Sequence, residues 1–416
     1  MYGNAGMEKD LKKQLDMIEI GTDDILVREE LEDIVADSIT SGIPLKVKLG
    51  LDPTAPDIHL GHTVVLNKLR TFQDLGHKAI LIIGDYTARI GDPSGRSSLR
   101  PKLLPQEIDR NAETYVKQAF KILDPDSTEM VKNSEWLQPL RFEDILGLTA
   151  RFTVARMLER DDFKKRFKAN VSIAIMEFLY PIMQAYDSVA IEADIELGGT
   201  DQRFNLLMGR ELQKDMGQRP QIAITMPILV GTDGREKMSK SLGNYIGIDE
   251  DPSQVFGKIM SIPDDVMVDY FKLLTRLDSS QIETIEKDMA SGELNPSVAK
   301  RRLAGIIIGY LHSQHDARKA EQDFDLLFKK KEVPDEIEEY VIKKSEAGKN
   351  KLWIVKMLVD SGISNSNGEA RRMIKQGAVK LDGVRVDDDT MEIDISSLDN
   401  KVIQKGKRHF RKIIVD

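Results

Sequence analysis

Hydrophobic positions change period several times along the 416 residues. Over 45–52 (LKVKLGLD), Val47, Leu49 and Leu51 alternate with other residues, which predicts a strand. Pro53 and Pro56 then break regularity. Val65, Leu69 and Phe72 recur at spacings of four and three, predicting a helix that Gly76 ends. The run at 79–83 (AILII) reads as a fully buried second strand closed by Gly84. Strand, helix and strand in so short a span form a βαβ unit, which implies a parallel sheet with helices on its faces. Residues 1–40 read as charged helix and 105–190 as largely helical, while 191–197 and 221–230 read as further strands. The period returns to helix over 252–340, and a charged, glycine-containing linker follows at 343–351 (KKSEAGKNK).

The last 65 residues have their own pattern. A short helix is predicted over 352–360. A second, over 365–376, carries Arg371, Arg372 and Lys375 and is capped by Gly377. Two short apolar runs around Asp382-Gly383 then predict a hairpin, 378–381 with 384–386. A basic helix beside a tight hairpin can follow a phosphate backbone. These shifts divide the chain into segments 1–230, 231–345 and 350–416.

Composition narrows the classes. Apolar residues make up 41% and charged residues 31%, so the chain reads as globular and not disordered. Its apolar runs are too short to span a bilayer, so no membrane partner is expected. The N-terminal residues lack a signal-peptide core, which points to the cytoplasm. The absence of cysteine excludes thiol nucleophiles and cysteine-ligated zinc. The net charge of −9 excludes a globally basic nucleic-acid binder. The charge is uneven, however: residues 351–416 hold 13 Lys plus Arg against 10 Asp plus Glu, and the remainder 47 against 59. A basic end on an acidic body fits either a polyanionic partner met there or a solvated tail.

Five short motifs carry candidate chemistry. Asp57-Ile58-His59-Leu60-Gly61-His62 lies between the first strand and the first helix. Histidines three apart share a face of the first turn, where unpaired N–H groups and the positive dipole end attract phosphate. Gly61 allows a flat group to approach the backbone. A core histidine or a surface metal pair is the alternative. Lys237-Met238-Ser239-Lys240-Ser241, among Gly231, Gly234 and Gly243, reads as a mobile loop that can close over a triphosphate; a solvated basic loop is the plainer reading. Gly198-Gly199-Thr200-Asp201-Gln202 follows a predicted strand, where α/β sheets bind ligands, with Asp201 a ribose acceptor or simply a helix cap. Tyr180, Gln184 and Asp187 form a polar stripe on an otherwise apolar helix that Pro181 must start or kink. That stripe serves a polar ligand or an internal hydrogen-bond network. Ile90-Gly91-Asp92-Pro93-Ser94-Gly95-Arg96 offers a carboxylate for an ammonium group, or a plain turn.

In this order the motifs resemble those of the class I aminoacyl-tRNA synthetases, and among them the bacterial tyrosyl-tRNA synthetases. His59 to His62 match the HIGH motif and Lys237 to Ser241 match KMSKS without a change. The resemblance covers essentially the whole chain. It implies an α/β fold: a Rossmann-like parallel-sheet catalytic domain, an α-helical domain on the anticodon side, and a small α+β alpha-L RNA-binding domain. It implies activation of L-tyrosine with ATP to tyrosyl-adenylate, then transfer to the 3′ end of tRNA(Tyr). By the match, His59, His62, Lys237, Lys240 and Thr54 serve the phosphates, and Gly61, Gly198, Gly199, Asp201, Gln202, Met238 and Ser239 line the nucleotide. Asp52, Asp92, Tyr180, Gln184 and Asp187 surround the amino acid, with Asp187 accepting the phenol. Lys48 stands where many members have a tyrosine that also bonds the phenol, and Arg96 where a mobile-loop lysine is common. Arg371, Arg372 and Lys375 meet RNA. Mg²⁺ comes with ATP and has no protein ligand set, and a homodimer is expected. A tryptophanyl-tRNA synthetase shares this fold and chemistry and is the runner-up, against which Asp187, Tyr180 and the C-terminal module argue. An HxGH nucleotidyltransferase acting on a small metabolite, or a non-catalytic RNA-binding protein, would each leave one half of these features without a task.

Overall fold

The computed structural model describes residues 2–53, 57–93, 104–329, 338–342, 351–406 and 409–416. They form two compact units, Met1–Glu321 and Gln322–Asp416. The larger is built on a six-stranded sheet: β1 (Asp24–Leu26), β2 (Lys46–Leu51), β3 (Lys78–Ile83), β4 (Thr128–Lys132), β5 (Ile195–Gly199) and β6 (Ile222–Met226). The strand order is β1-β6-β5-β2-β3-β4. Strands β2 to β6 run parallel, and β1 adds an antiparallel edge on β6. Strand β2 has β3 on one side and β5 on the other, so the winding reverses between β2 and β5. In open α/β sheets such a reversal opens a crevice at the carboxyl ends of the strands.

Local chemistry explains these elements. β3 (KAILII) is buried at every position but its first, as a parallel strand covered on both faces requires. The Leu60–Asp74 helix links β2 to β3 and buries Leu60, Val64, Leu66, Leu69 and Phe72. Val65, expected on that stripe, instead faces the crevice. The Ile175–Ile191 helix contains Pro181 in its interior rather than at its start. The ring removes the N–H that would have bonded the carbonyl of Glu177. That helix packs on Arg203–Asp215 through Met183, Ala185, Met208 and Leu212.

Strands β1 and β4 fall in stretches expected to be helical. β1 has only three residues, and β4 (TEMVK) is an edge strand with no buried position, so neither carries an apolar signal. The segment 231–321 belongs to the larger unit, so the boundary expected near residue 230 falls inside one compact body. Tyr270 and Phe271, both fully buried, hold it there, with the Tyr270 hydroxyl donating to the Val230 carbonyl at 2.7 Å.

The C-terminal unit has β7 (Glu339–Ile342), β8 (Lys351–Trp353), β9 (Val379–Leu381), β10 (Val384–Arg385), β11 (Glu392–Asp394), β12 (Val402–Lys405) and β13 (His409–Val415). Five of them form one sheet, β10-β9-β12-β13-β7, and β11 pairs with β8. The expected hairpin is present, with Asp382 and Gly383 at φ of 53° and 80°, the signature of a type I′ turn. β7 precedes the expected linker yet pairs with β13, so this unit starts upstream of residue 350. Residues 352–353, expected to open a helix, belong to strand β8, and the helix follows at Ile354–Asp360. Arg371, Arg372 and Lys375 are exposed on the Asn367–Lys375 helix. Among the described residues no helix is long and apolar enough to cross a membrane.

Phe72 is wholly enclosed between its helix and the sheet. Phe72→Ala should therefore cost the larger unit about 3–5 kcal/mol, read as a lower urea midpoint at unchanged slope.

Candidate active site

The turn after β2 is built by its own histidines. His59 caps the Leu60–Asp74 helix, its Nδ1 accepting from the Gly61 N–H at 3.1 Å. His62 returns the bond, its Nδ1 accepting from the His59 N–H at 3.3 Å. A ring nitrogen that accepts from a backbone N–H carries no proton, so each ring keeps its proton on Nε2. Burial, then the neighbouring His62 and Lys240, lowers His59 to about 3; burial and Lys240 lower His62 to about 4. Both are neutral at pH 7 and each offers one Nε2–H donor at a helix N-terminus. Gly61 is needed here: a Cβ would lie 2.9 Å from the His59 ring.

The lysine-bearing loop reaches the same turn. The Leu60 N–H donates to the Ile246 carbonyl at 2.9 Å and the Ile248 N–H to the Ile58 carbonyl at 3.3 Å. Lys240 Nζ lies 3.1 Å from Asp57 Oδ2, and Met238 packs towards Gly61. The loop, expected to be free, has an internal frame. Buried Asn244 donates to Asp233 Oδ2 at 2.8 Å and to the Lys237 carbonyl at 3.1 Å, and accepts from the Ser239 N–H at 2.8 Å. Gly231 leaves room for that amide, which a Cβ would strike at 2.3 Å. Lys237 is exposed, and its charge reaches Asp201.

Beside the turn, at the carboxyl ends of β2, β3 and β5, lies a cavity of about 280 Å³. Asp52, His62, Asp92, Tyr180, Gln184, Asp187, Gly198, Gly199 and Gln202 are all on its wall. The Tyr180 hydroxyl donates to Asp52 Oδ2 at 2.9 Å, and Thr87 to Asp52 Oδ1 at 2.8 Å. Burial, with the charge of Asp52, pushes the Tyr180 phenol well above its ordinary range. Gly84 makes space for this pair, since a Cβ would sit 2.0 Å from Asp52 Oδ1. Asp187 accepts from the Trp136 indole N–H at 2.7 Å and from the Asn133 amide at 3.4 Å. Burial lifts it to about 7, with Lys48, Trp136 and Asn133 opposing the rise.

Several residues stand differently from expectation. Asp92 is already bonded by Arg160 at 3.1 Å and by the Gln202 amide at 2.8 Å. Lys48, expected beside the phenol, is not on the cavity wall; its ammonium pairs with Glu196 Oε1 at 3.0 Å, and both side chains are 1% exposed. Asp201 is exposed and adjoins Gly199, so it is open to a ligand. Thr54, Ser94, Gly95 and Arg96 lie outside the described residues.

Sequence reasoning missed Asn133, Trp136, Arg160, Asn205, Glu196 and Asn244. Asn133 and Trp136 follow β4, so recognising that strand would have put them at a ligand-binding edge. Arg160 and Asn205 gave no local signal: they meet Asp92 and Gln184 only through folding, by bonds of 3.1 and 2.8 Å.

Residues 40–329 match the model for class I tRNA synthetases (W and Y), and 335–413 match the tyrosine–tRNA ligase SYY-like C-terminal domain. A tyrosine–tRNA ligase of Moorella thermoacetica is 51% identical, over 98% of this chain and 97% of its own length. One of Carboxydothermus hydrogenoformans is 53% identical, over 98% and 99%. Among solved structures, the tyrosyl-tRNA synthetase of Archaeoglobus fulgidus complexed with L-tyrosine superposes with a TM-score of 0.60 at 26% identity, covering 74% of this chain and 99% of that one. Family models that together span most of the chain, and relatives about half identical over nearly its whole length, show that the chain belongs to the tyrosine–tRNA ligase family of class I tRNA synthetases.

Proposed function

We propose that this chain activates L-tyrosine with ATP and passes the tyrosyl group to the 3′ end of tRNA(Tyr), and that the residues gathered around the β2–β5 crevice carry out the first step. The observation that carries this reading is the junction of two donor sets on one turn: Lys240 is 3.1 Å from Asp57, next to the neutral pair His59 and His62. The tyrosine carboxylate attacks the α-phosphorus; a C–O–P linkage forms and the bond to the β-phosphate breaks. Charge then develops on the departing pyrophosphate. The Nε2–H groups of His59 and His62 donate to it and Lys237 and Lys240 neutralise it, so catalysis is placement plus electrostatics. Gly61, Gly198, Gly199, Gln202, Met238 and Ser239 bound the nucleotide, and Asp201 accepts from its ribose. Thr54 is assigned to the phosphates on the sequence match alone. In the second step a terminal ribose hydroxyl attacks the acyl carbon and AMP leaves.

The same crevice selects the amino acid. Asp52, Asp92, Tyr180 and Gln184 form the polar end for the ammonium group, and Asp187 accepts the phenolic O–H. Tryptophan has no hydroxyl for Asp187. Among the described residues no group of three or more His, Asp or Glu side chains is placed to hold a metal. Mg²⁺ is assigned to the phosphates of ATP, where it offsets their charge.

Within 142–175 the larger unit exposes Phe142 (76%), Phe167 (62%) and Ile175 (83%). A homodimer is expected from the family, and these exposed apolar side chains are candidates for its interface.

ATP–pyrophosphate exchange measured across the amino acids tests the substrate: tyrosine should stimulate it, and stimulation by tryptophan alone would refute the reading. Asp187→Ala should lower kcat/KM for tyrosine about ten- to a hundred-fold, the worth of a hydrogen bond to a charged acceptor, and narrow the gap to phenylalanine. Replacing Arg371, Arg372 and Lys375 together by Ala should leave exchange intact while raising KM for tRNA and flattening its salt dependence; equal effects on both steps would remove that helix from the RNA surface. Sedimentation should give twice the chain mass, and Phe142→Asp with Ile175→Asp should give the single-chain mass.

A further inference from the structure

Among the described residues, the most enclosed charges of the larger unit lie behind the proposed amino-acid site. The Lys48 ammonium, on β2, is 3.0 Å from Glu196 Oε1, on β5, and also donates to the Gln184 carbonyl at 3.4 Å. Glu196 accepts further from the Gln184 amide at 3.0 Å, from the Ser188 hydroxyl at 3.2 Å and from the Gln221 amide. Gln184 and Ser188 belong to the Ile175–Ile191 helix and flank Asp187 on it. One ion pair thus joins two strands to the helix that presents Asp187: two bonds run to Gln184 on the cavity wall and one to Ser188 a turn further on, while Gln221 braces Glu196 from the amino end of β6. A pair this deeply buried adds little net stability, because desolvation offsets its attraction. Its placement calls for another role.

We propose that the Lys48–Glu196 pair is a positioning device for phenol recognition: it locks Gln184 and Asp187 towards the cavity and gives Asp187 the counter-charge that keeps it an acceptor. The inference rests on the tyrosine reading above and deepens it. Asp187 can accept a phenolic O–H through either carboxylate oxygen only while ionised, and burial works against ionisation. The charges that bear on it are Lys48 from β2, which lowers it, and Glu196 from β5, which raises it. Tyr180 on the same helix stays neutral, with Asp52 and Asp92 grouped around it. The segment after β4 contributes only the neutral donors Asn133 and Trp136. Lys48 is therefore the cation that favours the ionised form of Asp187, and Glu196 holds it in place. Neither residue touches the cavity, so each acts through Asp187.

The sign of the effect follows. Lys48→Met removes the favourable charge and leaves Glu196 facing Asp187, so the acid limb of kcat/KM for tyrosine should move to higher pH. Glu196→Gln removes the unfavourable charge and should move it to lower pH. The test is pyrophosphate exchange by the full chain from pH 5.5 to 8.5, with tyrosine and with phenylalanine. Near pH 6.5, Lys48→Met should lose about tenfold in kcat/KM for tyrosine, the size of a one-unit shift, while phenylalanine changes little. Lys48→Arg, which keeps the charge, should restore the limb. Should Lys48→Met fail to fold, Glu196→Gln alone decides, because its limb must fall. Limbs that stay put, or that move together, would show that the pair is structural only. Absence of tyrosine-dependent exchange in the unaltered protein would instead defeat the substrate reading and leave this pair unassigned.

Discussion

Burying carboxylates at the carboxyl edge of a parallel sheet is the constraint around which the larger unit is arranged. Asp52, Asp92 and Asp187 stand there, with Glu196 behind them near the amino end of β5, and a low-dielectric site tolerates such groups only when each is hydrogen-bonded or paired. Each has its own solution: hydroxyls from Tyr180 and Thr87 for Asp52, Arg160 for Asp92, indole and amide for Asp187, Lys48 for Glu196. Because the donors come from five separate stretches of chain, satisfying these four groups also fixes how those stretches meet. A cavity whose polar ends are already oriented requires little reorganisation when substrate arrives, which is where electrostatic catalysis draws its advantage.

The turn at His59 to His62 uses the opposite sign by the same logic. A helix start has donors without partners, and here two of them are met by imidazole rings that themselves become donors on their far side. The turn is thereby rigid and still presents N–H groups outward. Short strand-like bonds at Ile58 and Leu60 tie it to the segment that follows the lysine loop. Positive charge from a distant part of the sequence, Lys240, is thus brought to this turn. The low proton affinity of both rings follows from that crowding with Lys240 and from burial, and an incoming phosphate would relieve it.

The sequence by itself determined whatever depends on near neighbours. The βαβ unit around 45–83 was legible because apolar periodicity reports burial directly, and the turn at Asp382-Gly383 because two positive φ angles demand such residues. Histidines three apart at a strand-to-helix junction, and lysines on a glycine-flanked loop, stood out because helix ends and loop cations are local features, and the fold brings Lys240 to that turn. Edge strands such as β4 stayed hidden, since a strand covered on one side needs no continuous apolar run. Only the tertiary structure decided which buried charges meet. Lys48 could have approached the phenol, as its place in the motif suggested, but Glu196 lies 3.0 Å away on the adjacent strand, and a buried ammonium goes to the nearest buried carboxylate. Contacts between residues 148 apart, such as these two, are set by how the sheet winds, and no local pattern encodes that.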